Sequence, residues 1–517
     1  MNKQSNRLAI NMIANVVSFI VNMGISFLLS PYIINNVGKE AYGFVSLANN
    51  FISYAQVATV ALNSMASRFI TIKIYEKNEK ETNKYFSSVL IANIFMALVL
   101  IFPSTFIVLF LNSIIRINKS ILFDVQILWS LLFASFLISL ITNVFGIATF
   151  STNRLDLSAK RNIESNIIKV IVLVCLFYFF KPSVWYIGMA GLISSMYIVI
   201  TNIYYTKKLL PNVNFNKKLF EFHIIKEIVS SGIWNSFTSL STILLSGLDL
   251  IIANLFVGSI AMGTLSIAKT VPTAIDSFLG TIQSVFVPQF MISYAKNDEK
   301  KMLKDINSSI KFMTIISGIP IIGFLVFGQE FYSLWVPKEN SSIIQILSFL
   351  TMGTIIITAP IKPLYSIYAI TNKVKVESIA VFIQGVLSTI IVFLLLNILP
   401  KDIIISTSIP VGLFIIAGTS TILGCIRALT FTPIYAARCL KIKWYSFYEA
   451  IVKSLFNMGI LFLLFNIVKF LFKPYSWKLL ILDASICFII ALIFDILILL
   501  NKEERKIIFG KLQKKIN

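Results

Sequence analysis

Apolar runs of about twenty residues recur along the whole chain, separated by short polar connections. Each run is long enough to cross a hydrocarbon core of about 30 Å as a helix. None shows the alternation of apolar and polar positions that a membrane strand requires. Because lipid cannot satisfy backbone N–H and C=O groups, the runs must be helical. The pattern therefore predicts an all-α integral membrane protein.

We predict about fourteen membrane helices from these runs. They cover residues 8–30, 41–67, 85–112, 121–149, 166–180, 184–206, 227–256, 258–292, 309–334, 342–370, 378–399, 404–437, 447–471 and 477–500. Most of the 45 Lys and Arg residues fall in connections on the side of the two termini. Since the basic connections of membrane proteins stay in the cytoplasm, we expect both termini there. The same charges suit anionic lipid headgroups, and we expect no nucleic acid partner.

Two segments that lie 220 residues apart share the pattern Val-Gly-x-x-Ala-x-Gly-x-x-Ser-x-Ala, beginning at Val37 and at Val257. An even number of predicted helices separates the copies, so the repeat is parallel, with its axis along the membrane normal. Chains with two such halves are commonly transporters whose path lies between the halves. The predicted segments are a six-helix lobe at 1–206, a cytoplasmic linker at 207–226, a second six-helix lobe at 227–440, and two extra helices with a basic tail at 441–517.

Polar side chains recur at intervals of three and four residues on helices 1, 2, 7 and 8, which places them on one face of each helix. Polar groups that face lipid are costly, so these faces must meet protein or water. Hydrogen bonding between helices accounts for many of the Ser and Thr residues, whereas the larger amides and the charges favour a substrate cavity. The predicted cavity residues are Asn15, Asn22, Asn49, Gln56, Asn63, Arg68, Asn235, Lys269, Gln283, Lys362 and Arg427.

Charged residues inside the predicted spans define the chemistry of this cavity. Lys269 and Asp276 lie on one face of helix 8, about 10 Å apart along its axis. That distance is too long for a direct ion pair on a straight helix, so each group needs another partner, water or a ligand. Lys269, Lys362 and Arg427 together would make a cationic wall suited to an anionic group, beside amides that suit a sugar.

Acidic residues inside the spans point to ion coupling. The Asp249 and Asp276 carboxylates are candidate carriers of H⁺ or Na⁺. Lys453, Asp483 and Asp495 lie in the two extra helices, where we expect them to pair within those helices or to lie near their ends, and we do not assign them to transport.

The sequence indicates no enzymatic chemistry. Its four cysteines form no Cys-x-x-Cys pair, and its single histidine, His223, has no second ligand nearby. No phosphate-binding loop or Ser/His/Asp arrangement is present. We therefore predict no catalytic residue, no metal site, and no cofactor other than a coupling H⁺ or Na⁺.

Four segments carry a family resemblance. The longest begins SPYIINNVGKEAYGF and runs from Ser30 to Ile70; the others are Tyr85 to Asn93 (YFSSVLIAN), Thr149 to Ile163 (TFSTNRLDLSAKRNI) and Leu248 to Ile267 (LDLIIANLFVGSIAMGTLSI). They resemble the polysaccharide (O-antigen) flippase family of the multidrug/oligosaccharidyl-lipid/polysaccharide exporter superfamily. Asp249 matches an Asp that members of this family often carry in helix 7.

The resemblance implies a MATE-like fold, with two six-helix bundles around a central cavity and two C-terminal helices. It implies a flippase, not an enzyme, that moves an undecaprenyl-diphosphate-linked oligosaccharide from the inner to the outer leaflet of the bacterial cytoplasmic membrane by alternating access. The implied partners are the lipid-linked oligosaccharide, membrane lipids and other polysaccharide assembly proteins. Related lipid flippases carry arginines on helix 1, where this chain has only Arg7, so anion binding would depend on the second lobe and on Arg68.

Three alternative functions remain open. A MATE-type antiporter of drugs or cations shares the fold, but its cavity should be acidic and apolar. A peptidoglycan lipid II flippase differs mainly in the charge of helix 1. A polysaccharide polymerase or ligase is less favoured, since such enzymes usually carry a long outer loop and every predicted outer connection here is short.

Overall fold

The computed structural model describes residues 3–295, 298–371, 373–399, 404–405, 409–472 and 474–499. The α-helices of this part are α1 (Lys3–Val37), α2 (Lys39–Tyr75), α3 (Glu79–Leu109), α4 (Leu111–Ile114), α5 (Leu122–Thr142), α6 (Ile147–Ser151), α7 (Leu155–Phe179), α8 (Trp185–Leu209), α9 (Phe222–Thr242), α10 (Asp249–Ile252), α11 (Ser259–Gln283), α12 (Val287–Ala295), α13 (Glu299–Trp335), α14 (Ser341–Ile370), α15 (Val374–Ile398), α16 (Val411–Leu429), α17 (Phe431–Cys439), α18 (Tyr448–Phe472) and α19 (Trp477–Ile498).

Shorter elements join some of these helices. Turns of 3₁₀ helix lie at Asn143–Gly146 and Lys217–Leu219, and π-helical turns lie at Ile243–Gly247 and Ala253–Val257, on either side of α10. The described strands, β1 (Ile404–Ile405) and β2 (Ile409–Pro410), form one short antiparallel pair before α16.

Twelve helical segments of the described chain are long and apolar enough to cross a membrane. Helices α2 and α11, which carry polar stripes, lie outside this set, yet at 37 and 25 residues each is long enough to cross a hydrocarbon core of about 30 Å. Adding these two gives the fourteen spans that the sequence predicts. The prediction of an all-α, multi-pass membrane protein is confirmed.

Several helices extend beyond the predicted spans at their charged ends. Helix α7 begins at Leu155 rather than at residue 166, and α13 begins at Glu299 rather than at residue 309. Charged residues end an apolar run but do not end a helix. Asn78 before α3 and Asp298 before α13 each accept a hydrogen bond from the backbone N–H three residues on, at 3.1 and 2.9 Å. These N-caps fix where the two helices begin.

The 220-residue repeat is visible in the backbone. Gly38 ends α1 with φ 86°, and its equivalent Gly258 precedes α11 with φ 132°. Only glycine adopts such angles without strain, which explains why both copies of the motif contain Val-Gly. The N-caps Asn78 and Asp298 are likewise equivalent in the two copies.

Contacts divide the chain into two compact units. The first unit comprises Met1–Ser266 and Ser378–Thr389, and the second comprises Ile267–Glu377 and Ile390–Asn517. Helix α9 belongs to the first unit because it packs along α2, so closely that a Cβ at Gly232 would overlap the Ala61 carbonyl. The predicted division into lobes at 1–206 and 227–440 stays a prediction.

Each unit has an apolar core. In the first unit, α2, α3 and α9 contribute Leu62, Ile70, Val89 and Ile228, each at most 1% exposed. In the second unit, α13, α14 and α18 meet around Ile306, Leu364 and Ile451, with Phe447 fully buried beside them. These cores position the polar faces of the helices that surround them.

Candidate functional site

The polar stripe of α2 contains both exposed and hydrogen-bonded side chains. Asn49 and Gln56 are exposed, seven residues apart on one helical face, and Arg68 is exposed nearer the end of the helix. Asn63 instead accepts a hydrogen bond from the Asn93 amide at 3.1 Å, which joins α2 to α3. Because an exposed amide is costly against lipid, Asn49 and Gln56 suit a water-filled path. Asn63 suits a contact between helices.

Two further predicted cavity residues are hydrogen-bonded between helices. The Asn22 side-chain oxygen on α1 accepts a hydrogen bond from the Asn166 amide of α7 at 2.8 Å. The Asn235 amide on α9 donates to the Ser64 hydroxyl of α2 at 3.0 Å. The side chain of Asn15 lies outside the described residues. The stripes of α1 and α9 thus hold the first unit together, in addition to any contact with substrate.

Asp249 lies where the seventh span departs from α-helical geometry, between the two π-helical turns. Just before it, the Gly247 carbonyl accepts hydrogen bonds from the Asn50 amide at 3.0 Å and from the Tyr54 hydroxyl at 2.5 Å. The Asp249 carboxylate interacts electrostatically with the same tyrosine. Irregular backbone at membrane depth is tolerated only inside protein or along a cavity, and π-helical turns are frequent at functional sites.

Equivalent residues of the repeat contact each other where α2 meets α11. A Cβ at Gly43 would lie 2.8 Å from the Gly263 Cα, and the Ser266 hydroxyl donates to the Ser46 hydroxyl at 2.6 Å. Positions 43 and 263, and 46 and 266, are each 220 residues apart. Contact between equivalent residues is the property of a two-fold interface. We call these four residues the repeat seam.

In the second unit, Asp276, which is predicted to lack a partner on its own helix, finds one on a neighbouring helix. The Asp276 carboxylate of α11 lies 2.8 Å from the Lys362 ammonium of α14. The Lys362 side chain is 13% exposed and the Asp276 side chain is 46% exposed. Two turns further along α11, the Gln283 amide donates to the Ser366 hydroxyl of α14 at 2.6 Å. One face of α11 therefore meets α14 through an ion pair and a hydrogen bond.

Arg427 on α16 also has an acidic neighbour. Its guanidinium lies 3.7 Å from the Glu377 carboxylate at the start of α15, and both side chains are nearly buried. It also lies 5.9 Å from the centroid of the Tyr365 ring. Lys269, the third predicted cation, is half-buried on α11 and also has an interaction partner. The cationic wall predicted from sequence is therefore partly neutralised by carboxylates.

Sequence reasoning missed two charged residues. Glu377 lies one residue before the predicted span at 378–399, yet its carboxylate reaches Arg427 of α16. Lys169 on α7 lies inside a predicted span at residues 166–180, and its charge alone was a sufficient signal. It is half-buried in the first unit.

Lys453 and Asp495 find partners within the two extra helices, as the sequence predicts. Lys453 pairs with Glu449 at 2.5 Å on the exposed face of α18. Asp483 and Asp495 are fully buried on α19, and Asp495 accepts a hydrogen bond from the Asn457 amide at 2.7 Å. Among the described residues, no group of three or more His, Cys, Asp and Glu side chains could hold a metal ion.

The chain was compared with known proteins. Residues 8–294 match the family model described as "Polysaccharide biosynthesis protein". The chain belongs to this family. It is 26% identical over 513 residues to the protein described as "Uncharacterized membrane protein EpsK" of Bacillus subtilis (strain 168), with 98% of each chain covered.

Solved structures share the fold of this family member. The "Lipid II flippase MurJ, inward closed conformation" is similar with a TM-score of 0.66 and 17% identity, covering 93% of this chain and 97% of that one. An inward-facing multidrug resistance MATE family transporter of the MOP superfamily is similar with a TM-score of 0.63 and 14% identity, covering 85% of this chain and 99% of that one. At these identities the similarity establishes the MATE-like fold and nothing finer.

Proposed function

We propose that the protein is a flippase that carries an undecaprenyl-diphosphate-linked oligosaccharide, of O-antigen or capsule type, from the inner to the outer leaflet of the bacterial cytoplasmic membrane. Membership of the polysaccharide biosynthesis protein family supports the pathway, and the transporter fold supports movement rather than catalysis. The observation that carries the proposal is the Lys362–Asp276 ion pair on the polar face of α11. A charge within a span costs about 3 kcal/mol on insertion scales, so retained charges indicate a substrate or ion path.

The pair suits reversible binding of a diphosphate. Asp276 keeps Lys362 neutralised while the site holds no substrate, and a diphosphate with about two negative charges offers the ammonium stronger charge-assisted hydrogen bonds than one carboxylate does. Gln283, on the same face of α11 as Asp276, can hydrogen-bond sugar hydroxyls. The exposed Asn49 and Gln56 of the first unit can do the same. When the diphosphate displaces Asp276 from Lys362, the freed carboxylate is one group that can couple transport to H⁺ or Na⁺. Asp249, near the π-helical turns, is the other.

Alternating access then requires the repeat seam to open and close. The transported lipid, the surrounding membrane lipids and other polysaccharide assembly proteins are the proposed partners, with both termini in the cytoplasm.

Translocation in proteoliposomes tests the proposal. The purified protein is reconstituted with a fluorescent undecaprenyl-diphosphate-linked oligosaccharide, and the fraction accessible to an impermeant quencher is followed over time. We expect protein-dependent exchange between leaflets, absent from empty liposomes. Lys362→Met, at equal protein content, should lose most of the activity. Absence of exchange with several such glycolipids would contradict the proposal.

Lipid II is the second candidate substrate, because the structure shares the fold of a lipid II flippase. The same exchange assay with lipid II distinguishes the two substrates. Faster exchange of lipid II than of undecaprenyl-diphosphate lipids whose head group contains only sugars would assign the protein to peptidoglycan synthesis.

A further inference from the structure

Lys169 lies deep in a membrane span, and the part of the chain that the structure describes places no counter-charge on it. Helix α7 spans Leu155–Phe179, so Lys169 lies about 20 Å from its first residue and about 15 Å from its last at 1.5 Å per residue. No hydrogen bond or ion pair to Lys169 exists within the described residues, and no carboxylate there acts on it. Such a group is expensive to keep in a membrane and is retained chiefly where it has a function.

The side chain lies on the inner face of α7. The exposed apolar residues Ile167, Ile171, Val174 and Tyr178 form one stripe along the helix. At about 100° per residue, Lys169 lies about 170° away from the middle of that stripe. It is therefore directed away from lipid and into the first unit, where snorkelling to the bilayer surface does not explain it.

Polar groups lie on and against α7 in the turn that precedes Lys169. One turn earlier, Asn166 donates to Asn22 of α1 at 2.8 Å, and the Ser165 hydroxyl lies 2.6 Å from the Ser194 hydroxyl of α8. Residues three and four positions before Lys169 share its face of the helix. Two amides and two hydroxyls thus lie on or against the turn of α7 that precedes Lys169, and each of these side chains carries hydrogen-bond donors, as the ammonium does.

Helix α1, which packs against α7, carries no Lys or Arg from residue 8 to residue 37. The cation of this region is therefore supplied by α7. We propose that Lys169, with Asn22 and Asn166, forms an anion-binding site in the first unit that takes a phosphate or carboxylate group of the transported glycolipid. This inference rests on the proposed function, and it adds a site in the first unit to the ion pairs of the second.

Binding measurements on the full-length protein in detergent test the site. The probes are undecaprenyl diphosphate, the uncharged undecaprenol and a soluble oligosaccharide that contains uronic acid. Lys169→Met should raise the Kd of an anionic probe about tenfold, Lys169→Arg should stay within about threefold of wild type, and undecaprenol binding should not change. Loss confined to the diphosphate assigns the anion to the lipid, and loss confined to the uronic acid assigns it to the glycan.

Lys160→Met is the matched control. Lys160 lies on the same helix, is 66% exposed and is 3.8 Å from Glu164, so its removal should leave every Kd unchanged. The thermal unfolding temperature shows whether the variants are folded. Lys169→Met should unfold at or above the wild-type temperature, because it removes a charge that has no counter-charge among the described residues. Lys169→Gln provides a second neutral variant.

The outcomes separate the two proposals. Wild-type affinity of Lys169→Met and Lys169→Gln for all anionic probes would overturn the site while leaving the flippase proposal intact. A wild-type protein that binds neither undecaprenyl diphosphate nor the acidic oligosaccharide more tightly than undecaprenol would overturn both.

Discussion

At the residue scale, the charges of the second unit act as pairs. Asp276 forms an ion pair with Lys362, and Glu377 forms an ion pair with Arg427, which lies beside the Tyr365 ring. An ion pair in a poorly solvated site stabilises both charges, whereas removal of one partner leaves the other uncompensated. The two members of a pair should therefore have opposite effects on the binding of an anion.

The Lys362–Asp276 pair gives the first prediction. Lys362→Met should raise the Kd of undecaprenyl diphosphate about tenfold, because the ammonium is lost. Asp276→Asn should lower the Kd about threefold, because the competing carboxylate is lost. Both values can be measured by titration of the purified variants. Lys453→Met serves as control, since Lys453 pairs with Glu449 on an exposed face.

A purely structural pair would behave differently from a binding site. In that case Lys362→Met and Asp276→Asn would lower the thermal unfolding temperature by similar amounts, and neither would change the Kd. That result would remove Lys362 from the substrate path.

Asp495 gives the second prediction, which concerns stability. Its carboxylate is fully buried and accepts a hydrogen bond from the Asn457 amide at 2.7 Å. Asp495→Leu would leave that buried amide without its acceptor, at a cost of about 1–3 kcal/mol. Asp495→Asn keeps an acceptor and removes a buried carboxyl group. We expect a lower unfolding temperature for the Leu variant and an unchanged or higher one for the Asn variant.

Transport by the same variants checks the assignment of Asp495. The Asn variant should translocate glycolipid at the wild-type rate, because α19 is one of the two extra helices outside the predicted six-helix lobes. Loss of transport in a stable Asp495→Asn protein would instead place this carboxylate in the transport mechanism.

At the element scale, α2 is the helix on which the first unit is assembled. It meets α3 through Asn63, α9 through Gly232 and Ser64, and α11 through the repeat seam. Small residues at these contacts let the backbones approach closely, which is how membrane helices associate without a hydrophobic driving force.

The repeat seam gives the third prediction. The Ser46 and Ser266 hydroxyls are 2.6 Å apart, so cysteines at both positions can form a disulfide with little movement. In a chain whose four native cysteines are replaced by Ala, Ser46→Cys with Ser266→Cys should cross-link on mild oxidation. Oxidation should lower glycolipid exchange about tenfold or more, and a reductant should restore it.

Ser46→Cys with Thr264→Cys is the control pair. Position 264 lies about 200° around α11 from position 266, so this pair should not cross-link. Full transport by the oxidised Ser46/Ser266 variant would show that the seam stays closed throughout the cycle.

The helices themselves were largely predictable, and their ends were less so. Apolar runs gave the spans because lipid imposes a length and an all-helical backbone. Helices α7 and α13 begin about ten residues earlier than predicted because their first turns are charged and lie outside the apolar run. The π-helical turns around Asp249 leave no comparable mark in the sequence.

At the scale of the whole molecule, the membrane potential acts on any charge that the protein moves from one leaflet to the other. The formal net charge of +22 lies mainly in the connections between spans, and it stays in place while the substrate moves. Moving a charge across the membrane changes the free energy by about 2.3 kcal/mol per 100 mV. Outward movement of a diphosphate with about two negative charges is therefore favoured in a cell whose interior is negative.

This gives the fourth prediction. In proteoliposomes with a diffusion potential set by K⁺ and valinomycin, a negative interior should speed outward movement of the diphosphate lipid, and a positive interior should slow it. A lipid-linked sugar without phosphate should respond to neither potential. If an imposed H⁺ or Na⁺ gradient drives transport while the potential has no effect, net movement of negative charge is excluded and coupling through Asp249 or Asp276 is favoured.

The sequence by itself determined the membrane spans, the parallel repeat and the need of Asp276 for a partner. It also determined the polar faces of the first, second, seventh and eighth predicted spans. These follow from local physics: the length of apolar runs, helical periodicity and the cost of polar groups in lipid. Only the tertiary structure decided which partner each polar group found. Asp276 meets Lys362, Arg427 meets Glu377, and Asn22 meets Asn166, in each case across helices distant in sequence. Periodicity assigns a side chain to a face, but the packing of helices decides what that face touches.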